Sequence, residues 1–278
     1  MKKVRNVRLF LVAVLLAVFQ TTLIAGVPLT NLEGVGGVAF NPLAYPANPS
    51  TTKDEDTGLS NFLGKPQIGA WYVNLGDVDV DWTSIGVAET LWGRLEVSYG
   101  YETIAPTGEN ITKDNVGAKL LLIEENSFEQ DWFPAVSVGV IGKHTSPVAS
   151  SVDSSGYDVY VVASKLLKAP LSGLLLSGGL LSTDGRATGV FGYDDERDET
   201  LFGNADLLLR KDLALGVEYK QGVDFGDYQD ADYWDTHLAW FINPNTTLVV
   251  AYVNAGDEKS SSKVGLGDGL VLSLQYAF

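Results

Sequence analysis

The sequence predicts an all-β chain: a transmembrane antiparallel β-barrel of about twelve strands, with an N-terminal plug or lead-in segment. Three observations predict it. The closing stretch from Gly269 to Phe278 places Leu270, Leu272, Leu274, Tyr276 and Phe278 on one face and Val271, Ser273, Gln275 and Ala277 on the other, since alternate residues of a strand point to opposite sides. The same contrast of a large apolar face with a smaller polar one recurs along the chain. The connections, read backwards from Phe278, alternate long and short through six in a row, as outer loops and inner turns do in bacterial barrels, and the alternation loosens upstream at 124–131 and 77–81.

The chain opens on a basic stretch, Lys2, Lys3, Arg5 and Arg8, followed by an apolar run from Leu9 to Phe19. That run is too short for a membrane-spanning helix, which needs about 20 residues. It reads as a secretory signal peptide over residues 1–25, with Ala25 before the cleavage point. Four of the 19 basic residues and none of the 35 acidic ones lie there, leaving 15 against 35, a net charge of −20. Such a chain has no basic patch for nucleic acid. Without cysteine it has no disulfide and no thiolate metal site. No cofactor and no metal site are expected, because no ligand spacing is recognisable even in the acidic stretches 194–199 and 224–232.

Residues 26–65 differ from the rest. Gly36, Gly37, Phe40, Asn41, Pro42 and Tyr45 fall in a stretch too rich in Gly and Pro for a wall strand. This segment is expected to be a plug or periplasmic lead-in, and residues 66–278 the barrel. Twelve strands are expected at 67–76, 82–90, 92–101, 114–123, 132–143, 156–167, 171–182, 200–210, 213–221, 233–242, 246–254 and 269–278. Residues 183–199 are expected to be a long loop, because a strand at Ala187 to Tyr193 would spoil the alternation of connections. Trp82, Trp92, Trp132, Trp234 and Trp240 are expected in the interfacial aromatic girdles.

With the apolar faces in lipid, the lumen receives Arg94, Glu96, Lys119, Lys143, Asp158, Asp206, Arg210, Glu218, Lys220, Asp235 and His237. Both signs are present, which suits either a polar passage or an interior packed with compensating ion pairs. Twelve strands enclose more space than wall side chains alone fill, and 26–65 could occupy the remainder. Asp235 and His237 share a face and could act as an acid–base pair, but no nucleophile accompanies them and no catalytic residue is identified.

Leu95-Glu96-Val97-Ser98-Tyr99, Val116-Gly117-Ala118-Lys119, Trp132-Phe133-Pro134 and Tyr157-Asp158-Val159-Tyr160 occur in order. Leu215-Gly216-Val217-Glu218-Tyr219, Ala251-Tyr252-Val253-Asn254 and the closing Ser273 to Phe278 follow. With these motifs the chain resembles an uncharacterised family of proteobacterial exported proteins catalogued as a domain of unknown function (number 3034). The resemblance implies a Gram-negative outer-membrane location and supplies no activity. Ala39-Phe40-Asn41-Pro42-Leu43-Ala44 is similar to the N-terminal hatch of long-chain fatty-acid and other hydrophobic-compound transporters.

These readings make a passive channel for small molecules, hydrophobic or aromatic ones among them, the first expectation, with a non-transporting barrel of filled lumen as the alternative and a barrel enzyme behind both. The expected partners are outer-membrane lipid and lipopolysaccharide, a small-molecule substrate, and the barrel assembly machinery through Phe278.

Overall fold

The computed structural model describes residues 29–50, 62–76, 78–106, 110–169, 171–256 and 263–278. The expected signal peptide and part of the polar stretch after Ser50 lie outside them. Twelve strands form: β1 Gln67–Leu75, β2 Val80–Leu91, β3 Leu95–Ala105, β4 Ile111–Ile123, β5 Ala135–Ser146 and β6 Ser155–Leu167. They continue as β7 Gly173–Gly185, β8 Tyr193–Arg210, β9 Leu213–Lys220, β10 Tyr233–Asn243, β11 Thr246–Asn254 and β12 Asp268–Ala277. Each pairs antiparallel with its neighbours in sequence, and β1 pairs with β12 from Gln67↔Ala277 to Leu75↔Gly269. Closure leaves no unpaired edge, the condition for a sheet to sit in hydrocarbon.

Alternation decides what each face meets. Ile85, Val116, Leu180, Leu201, Leu270 and Leu274 are each more than half exposed, although a water-soluble protein would cover them. They form the lipid-facing belt of a transmembrane barrel. Aromatic residues border it. Tyr72, Tyr99, Tyr219, Trp234 and Tyr252 sit near the loop end, and Trp92, Trp132, Trp240, Tyr276 and Phe278 near the turn end. At the loop end the tyrosines donate to carboxylates, Tyr72 to Asp81 at 2.6 Å, Tyr99 to Asp114 at 2.5 Å and Tyr219 to Asp232 at 2.8 Å. Their rings stay in the apolar belt while their hydroxyls reach the polar edge.

Two expectations about the wall are corrected. Trp82 is not a girdle residue: β2 turns Ile85 and Val87 outward, and parity then sends Trp82 inward, where its indole N–H donates to Glu102 at 2.9 Å. Residues 183–199 are not one long loop, because β7 runs to Gly185 and β8 begins at Tyr193. The acidic run Asp194 to Glu199 is therefore strand, and arginines make that tolerable. Arg186 pairs with Asp194 at 2.5 Å. Arg197 donates to Asp184 at 3.0 Å, to the Ser182 carbonyl at 2.7 Å and to the Tyr157 carbonyl at 3.0 Å. Backbone pairing of β6 with β7 stops at Val159↔Ser182, and Arg197 with Asp184 continues it through side chains. Parity survives, since the hairpin lengthens without gaining a strand.

Candidate functional site

Residues 29–48 lie inside the barrel and their chemistry explains how they are held. Pro and Gly prevent them from pairing as a wall strand. Local bonds satisfy some backbone groups: the Asn31 amide donates to the Val35 carbonyl and the Leu32 amide to the Ala39 carbonyl, both at 2.8 Å. The rest need partners, because a buried unpaired peptide group is costly.

The wall supplies them from side chains. The Glu96 carboxylate accepts the Gly36 amide at 2.8 Å on one oxygen and the Ala47 amide at 2.7 Å on the other. One oxygen of Glu218 accepts the amides of Ala39 at 2.8 Å and Phe40 at 3.1 Å. Lys119 donates to the Gly36 carbonyl at 2.8 Å, and the Asn41 side chain donates to the carbonyls of Gly203 and Tyr219 at 3.1 and 3.0 Å. Ser164 accepts the Ala44 amide at 2.9 Å, while Ser137 donates to the Ala44 carbonyl at 2.6 Å. On the opposite wall the Trp71 indole donates to the Thr30 carbonyl at 2.9 Å.

Glycines set the depth of the fit. Gly86 and Gly100 are cross-strand partners. A Cβ on Gly86 would lie 2.5 Å from the Gly34 Cα, and one on Gly100 would lie 2.4 Å from the Glu33 carbonyl oxygen. Gly34 itself has φ of +83°, a conformation glycine adopts without strain. Three glycines thus let the inner segment lie directly on the wall backbone.

Glu33, the only charged residue between Gly26 and Thr52, enters an ion network on the wall. It pairs with Lys113 at 2.8 Å and Lys143 at 2.5 Å. Lys113 also holds Glu102 at 3.1 Å, and Lys143 holds Asp158 at 2.6 Å. Burial pushes the Glu33 carboxyl up, but Lys113, Lys143 and Lys220 together outweigh burial and hold it well below the usual carboxylate range. Lys119 and Glu96 form a separate buried pair at 2.9 Å. Buried charges of this kind are tolerated only when paired, so the inner segment and the wall complete each other.

A third cluster sits beneath Phe40. The two ring nitrogens of His237 contact Asp235 at 2.8 Å and Asp206 at 2.7 Å. Asp235 is the cross-strand partner of Glu218, and the Asn204 side-chain amide donates to Asp206. With both nitrogens held by carboxylates, the ring has none left to activate a nucleophile. The other histidine, His144, lies on the exposed face with its Nδ1 2.8 Å from the Ser155 hydroxyl. Among the described residues no carboxylate hydrogen-bonds that ring.

Glu96, Lys119, Lys143, Asp158, Asp206, Glu218, Lys220, Asp235 and His237 are buried within the barrel, as are Gly36, Gly37, Asn41 and Pro42, with Phe40 and Tyr45 partly covered. Arg94 and Arg210 are not in the lumen. Arg94 falls in the turn before β3 and pairs with Glu124 at 2.6 Å, and Arg210 ends β8 and pairs with Asp212 at 3.1 Å. Both are exposed at the turn end, where long cationic side chains reach water. Glu33, Glu102, Lys113 and Asn115 were not anticipated. Glu102 has the parity of Glu96, and Lys113 that of Lys119. Each lies just beyond the expected end of its strand, so a slightly longer strand would have found it.

Two small cavities flank the inner segment. Val38, Trp71, His237, Phe241 and Val249 line one of about 30 Å³ toward the turn end. Leu32, Phe40, Trp82, Lys220, Tyr233 and Leu266 line one of about 60 Å³ toward the loop end. Glu218, holding Ala39 and Phe40, stands between them. Over the second cavity the 186–192 connection folds inward, and the Asp230 carboxylate ties it down by accepting the Ala187 amide at 2.9 Å and the Tyr228 hydroxyl at 2.7 Å. Burial pushes Asp230 up to about 6, against these hydrogen bonds.

A family model described as protein of unknown function (DUF3034) matches residues 26–275. The chain belongs to that family. Among curated proteins no match was found. Among solved structures, one titled KdgM porin superposes with a TM-score of 0.54 at 14% identity, covering 76% of this chain and 99% of its own. NanC porin does so with a TM-score of 0.50 at 12% identity, covering 77% and 98%. At such identities the likeness is one of fold, and it agrees with the closed twelve-strand barrel. The family match spans the inner segment as well as the wall.

Proposed function

We propose that the protein is a gated outer-membrane channel for small molecules, in which the segment from Gly26 to Lys65 is the gate. The observation that carries this reading is the pair of cavities separated by a segment held through hydrogen bonds and ion pairs rather than by continuity with the wall. The porin fold of the similar structures supports passage as the purpose of the barrel. The rival reading is a barrel permanently filled by the same ion pairs. The exposed Phe278, edge-to-face against Tyr276 with ring centroids 5.0 Å apart, serves in either case as a lipid anchor and assembly signal.

Swelling of proteoliposomes in small solutes tests the proposal. Vesicles carrying the full chain should swell slowly, and those carrying the chain without residues 27–60 should swell fast. Equal, negligible swelling from both folded barrels would leave the filled-lumen reading in its place.

A further inference from the structure

The 186–192 connection between β7 and β8 is a cover over the loop-end cavity. At its tip Ala187 and Val190 are buried in the apolar core, and Thr188 lines the 60 Å³ cavity. Ala187 and Thr188 have φ of +46° and +58°, a region that strains residues bearing a Cβ. The tip must therefore be held in place. Among the described residues two side chains from elsewhere in the barrel hydrogen-bond to it. Thr145 donates to the Gly189 carbonyl at 2.8 Å, and Asp230 accepts the Ala187 amide at 2.9 Å.

Asp230 is only 1% exposed. Both of its carboxylate oxygens meet neutral donors, the Ala187 amide on one and the Tyr228 hydroxyl at 2.7 Å on the other. Among the described residues no lysine or arginine nitrogen lies within 4.0 Å of it. Lys220, at the end of β9, attracts it from farther away. Arg186 lies over the Tyr228 ring, 5.0 Å from its centroid, and pairs with Asp194. From the start of β10 Tyr233 faces Asp230, while Asp232 takes the Tyr219 hydroxyl and the Gly222 amide. Val264 pairs with Asp230 through the backbone, and Lys263 beside it attracts Asp224. The seated cover thus keeps a carboxyl group out of water without a contact cation, and such burial penalises the ionised form. We propose that Asp230 is a proton-operated latch, whose neutral form seats the 186–192 cover and whose ionised form loosens it. Burial holds its carboxyl up at about 6, against about 3.9 for an aspartate in water. A group raised in the closed state favours closure below that value, and the contribution fades as pH rises through about 6. The closing equilibrium should therefore shift about tenfold between pH 8 and pH 5. As a control on solute entry the latch rests on the channel reading above; as a proton-linked cover it does not.

The test is amide hydrogen exchange of the full-length barrel in detergent from pH 5 to pH 8, with each rate divided by the intrinsic rate of an unprotected amide at that pH. In the wild type the protection of the Ala187 amide should rise about tenfold from pH 8 to pH 5, with a midpoint near the Asp230 titration. Val162, fully buried in the wall, should keep the same protection throughout. Asp230→Asn, which keeps an acceptor and cannot ionise, should hold Ala187 protected and remove its pH dependence. Wild-type protection that is flat or falls on acidification would overturn the latch. So would a variant that keeps the wild-type profile, since another group such as His144 would then be the one titrating. The wild-type profile and the Val162 control need no variant, so they decide the matter if Asp230→Asn does not fold. Vesicle swelling at the two pH values reads passage separately: a pH-dependent cover on vesicles that never swell would keep the latch and defeat the channel, and swelling with a pH-independent cover would do the reverse.

Discussion

Replacing Glu96 by alanine is expected to free the inner segment while leaving the barrel closed. The carboxylate does three things at once: it accepts the Gly36 amide, accepts the Ala47 amide and neutralises Lys119. Removing one partner of a buried ion pair costs about 3–5 kcal/mol, because the other charge stays behind. Here the stranded group is Lys119, fully buried and left with the Gly36 carbonyl alone. The β3–β4 backbone ladder is untouched, so the wall still forms. The amides of Gly36 and Ala47 should then exchange with solvent at least about a hundredfold faster, the change that 3 kcal/mol of local opening produces. Glu96→Gln should lie between, since it keeps the acceptor and loses the charge. Unchanged exchange at both amides in Glu96→Ala would mean that this carboxylate does not hold the segment.

Gly100→Val should unseat the segment by shape instead of charge. The added Cβ would stand 2.4 Å from the Glu33 carbonyl oxygen and 2.5 Å from its carbon. Both atoms are backbone, so no side chain can rotate away. The wall itself should accept the change, because valine suits a strand and Tyr99 and Tyr101 keep their outward positions. Residues 33–34 must therefore lift, which draws Glu33 from Lys113 and Lys143. Vesicle swelling should rise well above the wild-type rate. Gly142→Val is the control: it faces outward, and a Cβ there meets nothing closer than 3.9 Å. Swelling that rises equally in both variants would point to general loosening of the wall.

Much of the architecture was legible because period-two patterning carries it. The belt residues of β12, the short turns at Asn243 to Asn245 and Arg210 to Asp212, and the even strand number all follow from alternation and connection length. What failed lay where alternation says nothing. A charged strand beyond the membrane, such as Asp194 to Glu199, looks like a loop until Arg186 is seen to pair with Asp194, and Arg197, within the run, to bind Asp184 and the Ser182 and Tyr157 carbonyls of the neighbouring strands. Arg94 and Arg210 have a lumen parity, yet they stand past the last wall residue, where parity no longer means inside.

The inner segment was legible in composition only. Gly and Pro exclude a wall strand, but partners such as Glu96 and Glu218 lie far away in sequence and depend on how the barrel closes. Glu33 carried a signal that went unused, a single charge in an otherwise uncharged stretch. Gly86 and Gly100 carried another, since glycine inside a strand often marks the close approach of a second backbone.

The most direct test of the gate uses the absence of native cysteine. The Ser137 hydroxyl lies 2.6 Å from the Ala44 carbonyl, so Ala44→Cys with Ser137→Cys should tether the inner segment to β5. Single-channel recording in a planar bilayer, with the disulfide first formed and then reduced, reads the outcome. The account predicts silence while the tether is closed and openings at the wild-type level once it is reduced. Identical openings in both states, with the tether verified, would contradict it.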